Sequence, residues 1–100
     1  MKPIKTTRQF DRWEAGLRDR KAVARIRIRL DRLAMGNPGD HRPLKAGVTE
    51  LKIDYGPGYR VYFTERNGEL IILLCGGTKK GQDKDIALAE KLAKEIGYGD

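Results

Sequence analysis

Apolar residues recur along this chain with two periods, and the change from one to the other falls near its middle. Phe10, Trp13 and Leu17 stand at i, i+3 and i+7, and Thr7 is placed to cap the helix they predict. Val23, Ile26, Leu30 and Leu33 carry helical spacing into a second helix beginning near Asp19. Within it, Arg25-Ile26-Arg27-Ile28-Arg29-Leu30 alternates with period two and, read alone, resembles a strand. The wider window from Asp19 to Met35 holds no turn residue and fits the helical period, so helix is the expectation. Met35-Gly36-Asn37-Pro38-Gly39 stops it, and a loop is expected over Gly36–Lys45.

From Val48 the period becomes two. Leu51 and Ile53 face one way, and Glu50, Lys52 and Asp54 the other. Gly56-Pro57-Gly58-Tyr59 suits a type II turn with proline second and glycine third. The next strand, Tyr59–Arg66, sets Tyr59, Val61 and Phe63 against Arg60, Tyr62 and Thr64. Asn67-Gly68 is a strong hairpin signal. Glu69–Gly76 is apolar on both faces, as a central strand requires, and Gly76-Gly77 then breaks it. Ile86, Ala89, Leu92, Ala93 and Ile96 form a last helical stripe over Asp83–Ile96, ended by Gly97. Lys2-Pro3-Ile4-Lys5-Thr6 reads as a short opening strand, with Pro3 at its start or on an edge. The order is strand, two helices, three strands, helix, which predicts one α+β domain over residues 1–100.

Charge sharpens that picture. The net charge is +7, and residues 1–66 hold 16 Lys+Arg against 8 Asp+Glu, whereas residues 67–100 hold 5 against 6. The positive field of the first two-thirds suits a polyanionic partner, nucleic acid or an acidic protein. It is densest in the second helix, where seven Arg/Lys lie between Arg18 and Arg32 against Asp19 and Asp31. Arg25, Arg29 and Arg32 share a face away from the apolar stripe. With Arg18 and Lys21 that face is a candidate to grip RNA phosphates, to receive an acidic segment that folds on binding, or simply to be solvated. The single cysteine, Cys75, sits in an apolar run and reads as a buried thiol in a reducing compartment. With no apolar leader and no membrane-length stretch, the expectation is a cytoplasmic protein with no membrane partner.

Several chemistries are excluded. Gly56-Pro57-Gly58 runs into Tyr59-Arg60-Val61 and is no dinucleotide fingerprint. Gly76 and Gly81 have phosphate-loop spacing, but Gln82-Asp83 stand where Lys and Ser/Thr are needed. One histidine and one cysteine make no zinc site, and no metal or other cofactor is expected. His41, alone in its loop, is a candidate base or acid or only a surface histidine. What remains is a sheet face carrying Lys52, Arg60 and Tyr62, with Lys79 and Lys80 just past the last strand. Such a face suits a phosphodiester, because arginine holds two phosphate oxygens and nearby ammonium groups stabilise transition-state charge. The alternative is that Lys52 and Arg60 are solvated and pair with Glu50 and Asp54.

The run Gly47-Val48-Thr49-Glu50-Leu51-Lys52-Ile53-Asp54-Tyr55-Gly56-Pro57-Gly58-Tyr59-Arg60-Val61-Tyr62-Phe63 resembles the signature of the HigB-like "addiction module killer" branch of the RelE/ParE superfamily. Leu73-Leu74-Cys75-Gly76-Gly77-Thr78-Lys79-Lys80-Gly81-Gln82-Asp83-Lys84-Asp85-Ile86 resembles the family's second block, and Gly36-Asn37-Pro38-Gly39-Asp40 also fits. The resemblance covers nearly the whole chain. It implies a microbial RNase-like fold, with two antiparallel N-terminal helices packed on an antiparallel sheet. It implies the toxin of a type II toxin–antitoxin pair, silenced by a cognate antitoxin that is acidic or carries a helix-turn-helix. Many members are endoribonucleases that enter the ribosome and cut mRNA; others inhibit DNA gyrase without catalysis, and a non-toxic interaction module is the third possibility. Carried over by position, Arg60 matches the arginine used on the scissile phosphate. Lys79 matches the basic position after the last strand, and Lys52 a strand lysine that helps activate the 2′-hydroxyl. Where nuclease members often place a tyrosine or histidine as general acid, this chain has Gln82-Asp83-Lys84-Asp85, and Tyr98 lies well beyond.

Overall fold

The computed structural model describes residues 1–97, so Tyr98 falls outside the described residues. The elements are β1 (Ile4–Thr6), α1 (Arg8–Ala15), α2 (Arg20–Ala34), β2 (His41–Pro43), β3 (Val48–Ile53), β4 (Tyr59–Arg66), β5 (Leu70–Thr78) and α3 (Gln82–Gly97), with a 3-10 turn at Lys79–Gly81. They build a five-stranded sheet in the order β1-β5-β4-β3-β2. The antiparallel meander β3-β4-β5 lies at its centre. β1 adds to β5 in parallel and β2 to β3 antiparallel, so the sheet is mixed.

Local signals account for the helices. The Thr7 hydroxyl accepts from the Phe10 amide at 3.1 Å, and the Asp19 carboxylate from the Lys21 and Ala22 amides at 2.9 and 3.3 Å. Each satisfies N–H groups that a helix start leaves orphaned. The strand-like alternation at 25–30 is helical, as expected, because Ile26 and Leu30 reach the core one turn apart while Ile28 stays half exposed. Ala22 takes the buried position at the start of the stripe, and Val23 beside it is only half-buried. α1 ends at Ala15, so Leu17 packs from the connecting segment rather than from the helix.

Two corrections concern the sheet. The expected loop Gly36–Lys45 contains β2, which pairs His41 with Leu51, Arg42 with Glu50 and Pro43 with Thr49. All three of its residues are exposed and one is proline, so no apolar alternation announces it. Gly76-Gly77 does not break β5, which runs on to Thr78. A Cβ on Gly76 would stand 2.3 Å from the Trp13 ring, and one on Gly77 1.9 Å from Asp85 Oδ2. The pair therefore lets α1 and α3 settle on opposite faces of one strand.

Both faces of the sheet are covered. Phe10 of α1 and Ala22, Ile26, Leu30 and Leu33 of α2 pack on Leu51, Ile53, Val61, Phe63, Ile71 and Leu73. Ala89, Leu92 and Ala93 of α3 pack on Val48, Tyr62, Ile72, Leu74 and Cys75. β5 serves both cores through a bulge. Tyr62 pairs with Cys75 and Phe63 with Leu73, so Leu74 is the extra residue, and Leu74 and Cys75 both face α3. The Asn67-Gly68 turn has both residues at positive φ, and Glu69 N–H donates to Arg66 O at 2.9 Å. The other turn is shifted by one residue from expectation. Gly58 N–H donates to Tyr55 O at 3.1 Å, so Gly56 stands second with φ +56°, and Gly58 follows with φ +79°.

The close approach of Trp13 to Gly76 generates a test. Gly76→Ala is expected to destabilise the protein by about 1–3 kcal/mol, the cost of overpacking a filled core. Urea denaturation measures it, and a change below about 0.5 kcal/mol, within the range of inconsequential substitutions, would show that the ring moves aside freely.

Candidate functional site: a cationic pocket beside a buried carboxylate

The three residues singled out for phosphate chemistry meet in one place. Lys52, Arg60 and Lys79 line an open pocket of about 310 Å³ together with Asp40, Asp54 and Gly56-Pro57-Gly58. Lys52 and Arg60 are cross-strand partners on β3 and β4, so their side chains leave the same face side by side. Lys79 is brought in by the end of β5, where its amide donates to Gly58 O at 2.9 Å. Gly58 has to be small and left-handed at this point. A Cβ there would stand 3.3 Å from Arg60 Nη1 and 3.4 Å from Lys79 Cβ. Arg60 Nη1 donates to Gly58 O and Tyr59 O at 3.1 and 3.3 Å. Lys79 and Lys80 are exposed on the 3-10 turn, and Lys52 is half-buried.

The basic face of α2 divides into two kinds of arginine. Arg25, Arg29 and Arg32 line a second open pocket, of about 340 Å³, with Ile28, Ile53 and Asp54. Asp54 belongs to both pockets, so the two adjoin. Arg29 is bonded to backbone: it donates to Lys52 O, and at 3.0 Å to both Pro38 O and Asp40 O. It clamps α2 to β3 and to the loop before β2, and burial pulls its pKa down. Arg25 stacks over the Tyr55 ring at 4.7 Å, and Tyr55 donates in turn to Asp19 at 3.1 Å. Arg18, Lys21, Arg25 and Arg32 are exposed.

What the sequence reading missed is Glu50. Alternation put it on the polar face of β3, there to pair with a solvated lysine or arginine, but α3 and β2 close over it and its side chain is 0 % exposed. Arg42 Nε donates to Oε1 at 2.9 Å; Gln82 Nε2 and the Tyr62 hydroxyl donate to Oε2 at 2.7 and 3.1 Å. Arg60 Nε stands 3.9 Å from the same Oε2. Burial raises the Glu50 pKa, but the bonds from Gln82, Arg42 and Tyr62 and the charge of Arg42 outweigh it, leaving the carboxyl below its ordinary range. Tyr62, expected beside the cations, is fully buried, and burial with the charge of Glu50 raises its pKa. Tyr62 therefore serves as a donor to Glu50.

Two further groups lie close by. Asp85 on α3 sits over Gly77, the cross-strand partner of Arg60. It is half-buried, its carboxyl makes no hydrogen bond or ion pair among the described residues, and burial raises its pKa. Cys75 is buried as expected, and burial, with the charge of Asp85, pushes its thiol up to about 12, far from a reactive thiolate. His41 lies on β2 with Nδ1 2.7 Å from Gly39 O, in a separate pocket beside Lys2 and Phe63, and does not join Arg60. Among the described residues no group of three or more His, Cys, Asp or Glu could hold a metal ion. Nor is any helix long and apolar enough to cross a membrane.

A small α+β domain with helices on both faces of a mixed sheet, and cations gathered at one end of it, is the class this structure defines. The chain belongs to the phage-derived Gp49-like family: the family model described as "Phage derived protein Gp49-like" matches residues 9–94. It is also similar to an uncharacterized protein of Haemophilus influenzae, 52% identical over 94 residues that cover 94% of this chain and 95% of that protein.

Glu50 and Asp85 have opposite linkage. The folded-state pKa of Glu50 is lowered, so its contribution to stability is present above its unfolded pKa and is lost as pH falls through the folded value. Asp85 is raised, so stability is lost as pH rises from its unfolded pKa through its folded one. In urea titrations at pH 7, Glu50→Gln is expected to lose about 3 kcal/mol, as when one partner of a buried ion pair is removed. Asp85→Asn is expected to match or exceed the wild type. Both differences should shrink below the carboxyl pKa values. A Glu50→Gln loss that stays constant down to acid pH would show that shape, and not charge, is what Glu50 supplies.

Proposed function

We propose that this protein is the toxin of a type II toxin–antitoxin pair and inhibits translation by cutting ribosome-bound mRNA. The observation that carries the reading is the convergence of Lys52, Arg60 and Lys79 on one pocket, two from adjacent strands and one from the turn after β5. Membership of the Gp49-like family agrees with the toxin–antitoxin resemblance of the sequence.

The chemistry is an in-line transesterification. The 2′-hydroxyl, its ionisation favoured by the ammonium charge of Lys52, loses its proton to water as its oxygen attacks phosphorus; the P–O5′ bond breaks, and the products are a 2′,3′-cyclic phosphate and a 5′-hydroxyl. Arg60 and Lys79 bind the phosphate oxygens and stabilise the charge that grows in the transition state. Asp85 is the donor we favour for the departing 5′-oxygen, because its carboxyl keeps its proton to higher pH and lies over the residue paired with Arg60. The exposed Arg18, Lys21, Arg25, Arg32 and Lys80 hold RNA phosphates on the ribosome, and an acidic antitoxin segment gains by covering the same surface. Arg29 supports that surface from beneath.

One observation favours a gyrase inhibitor instead: among the described residues the pocket lining includes neither histidine nor tyrosine. The two readings separate in vitro. With programmed ribosomes, wild-type protein is expected to generate new message ends, and Arg60→Ala to lower the rate about 100-fold or more, the usual effect of deleting a transition-state donor. Asp85→Asn is expected to lower it by about 10²-fold or more. Inhibited supercoiling by gyrase with intact message would support the alternative, and absence of growth arrest on induction would count against both.

A further inference from the structure

The geometry points to Glu50 as a positioning residue that sets the orientation of Arg60 in the phosphate pocket, and this rests on the nuclease reading above. A guanidinium is planar, so holding two of its nitrogens fixes where the third points. Arg60 Nη1 is held by the carbonyls of Gly58 and Tyr59 at 3.1 and 3.3 Å. On the other side Nε is buried, makes no hydrogen bond among the described residues, and faces Glu50 Oε2 at 3.9 Å. The side chain as a whole is only 12 % exposed, yet it lines the pocket. What remains to meet a phosphate is the Nη2 edge.

Glu50 is itself immobilised. Arg42 from β2 holds Oε1, and Tyr62 from β4 and Gln82 from α3 hold Oε2. The carboxylate cannot rotate without breaking bonds to three elements, so its field on Arg60 has a fixed direction. The long Nε to Oε2 distance is that of a resting site. When a phosphate binds the free edge of the guanidinium, the fixed charge of Glu50 opposes rotation of its plane and so keeps that edge in register. A purely structural tie would need only the three short bonds. It would give no reason for the buried Arg60 Nε to stand within ion-pair distance of the carboxylate without a hydrogen bond of its own.

The test separates rate from stability. Glu50→Gln is expected to slow single-turnover cleavage about 10- to 100-fold, the scale of a misplaced catalytic group, while the Kd for a short RNA stays within about threefold. Phe10→Leu, which weakens the core on the opposite face of the sheet, is the control and should cleave at the wild-type rate. Glu50→Asp keeps the charge and should recover part of the loss. Glu50→Gln combined with Arg60→Lys should be no slower than Arg60→Lys alone, because both act through one group. A readout independent of cleavage is hydrogen exchange at Arg60 Nε–H, followed by nitrogen-15 NMR. It should quicken at least about tenfold in Glu50→Gln, as expected when an N–H loses a charged partner. Should Glu50→Gln fail to fold, Glu50→Asp carries the same exchange test with a smaller change in the same direction. Unchanged exchange, or cleavage by folded Glu50→Gln within twofold of wild type, overturns the proposal. A wild-type protein that does not cut message overturns the nuclease reading, and the exchange measurement still decides the role of Glu50.

Discussion

A carboxylate shut away from water has to be surrounded by donors, and Glu50 is surrounded by donors from three different elements of the fold. Removing an ion from water is expensive unless hydrogen bonds and opposite charge replace the solvent. Arg42, Tyr62 and Gln82 provide that replacement, and to do so β2 must pair with β3, Tyr62 must face inward from β4, and α3 must begin where Gln82 reaches the sheet. None of these placements is optional once Glu50 is charged and buried. The network therefore ties the weakest edge of the sheet, a three-residue strand with every residue exposed, to the first turn of the last helix. It also faces Arg60, which makes the most demanding electrostatic feature of the core the neighbour of the pocket.

The glycine pair at the end of β5 is the steric counterpart of that network. Trp13 presses on Gly76 from one face and Asp85 on Gly77 from the other, so the strand is thinnest where helices approach from both sides. With side chains there, α3 would be lifted away, and Gln82 could not keep its 2.7 Å bond to Glu50. The bulge at Leu74 works in the same direction, because it turns two successive residues of β5 toward α3 and deepens the core beneath that helix. Closeness to the sheet has a consequence for Asp85, whose half-buried carboxyl is left with no hydrogen-bond or ion-pair partner among the described residues and a raised pKa. An unpaired carboxyl of this kind lowers stability at neutral pH. In the proposed reaction that cost has a use, because a carboxyl that keeps its proton is able to donate it.

Elements governed by local physics were legible in the sequence. Caps at Thr7 and Asp19, the Asn67-Gly68 turn, the helical reading of residues 25–30 and the two-sided apolar strand β5 all follow from neighbours a few residues apart. The meander followed from them, and with it the pairing that sets Lys52 beside Arg60. Glu50 was not legible, because alternation tells which face a residue takes but not what covers that face. β2 was hidden because its pairing is made by backbone, and its side chains carry no apolar period. Arg29 was placed on the correct face of α2, but its partners are carbonyls of a loop whose path periodicity does not describe. In each case the missing information is a contact between parts of the chain that are distant in sequence or irregular in conformation.

The positive charge of the protein consequently has three layers of meaning. Arg29 and Arg42 are tied into the fold, Arg29 to backbone carbonyls and Arg42, itself half exposed, to Glu50. Arg60 is more buried than Arg42, but it still lines the pocket, so its charge is both structural and available. Arg18, Lys21, Arg25, Arg32, Lys79 and Lys80 stand at the surface, where charge attracts a polyanion over distances of about a Debye length and positions it without reading its sequence. A surface field alone would bind any nucleic acid and distinguish nothing. Under the proposed role of Glu50, a guanidinium whose plane is held by a buried carboxylate is different, since it rewards only a phosphate presented in one orientation. On that reading, the division of cations between attraction outside and orientation within is what suits the pocket to a phosphodiester rather than to any negative surface.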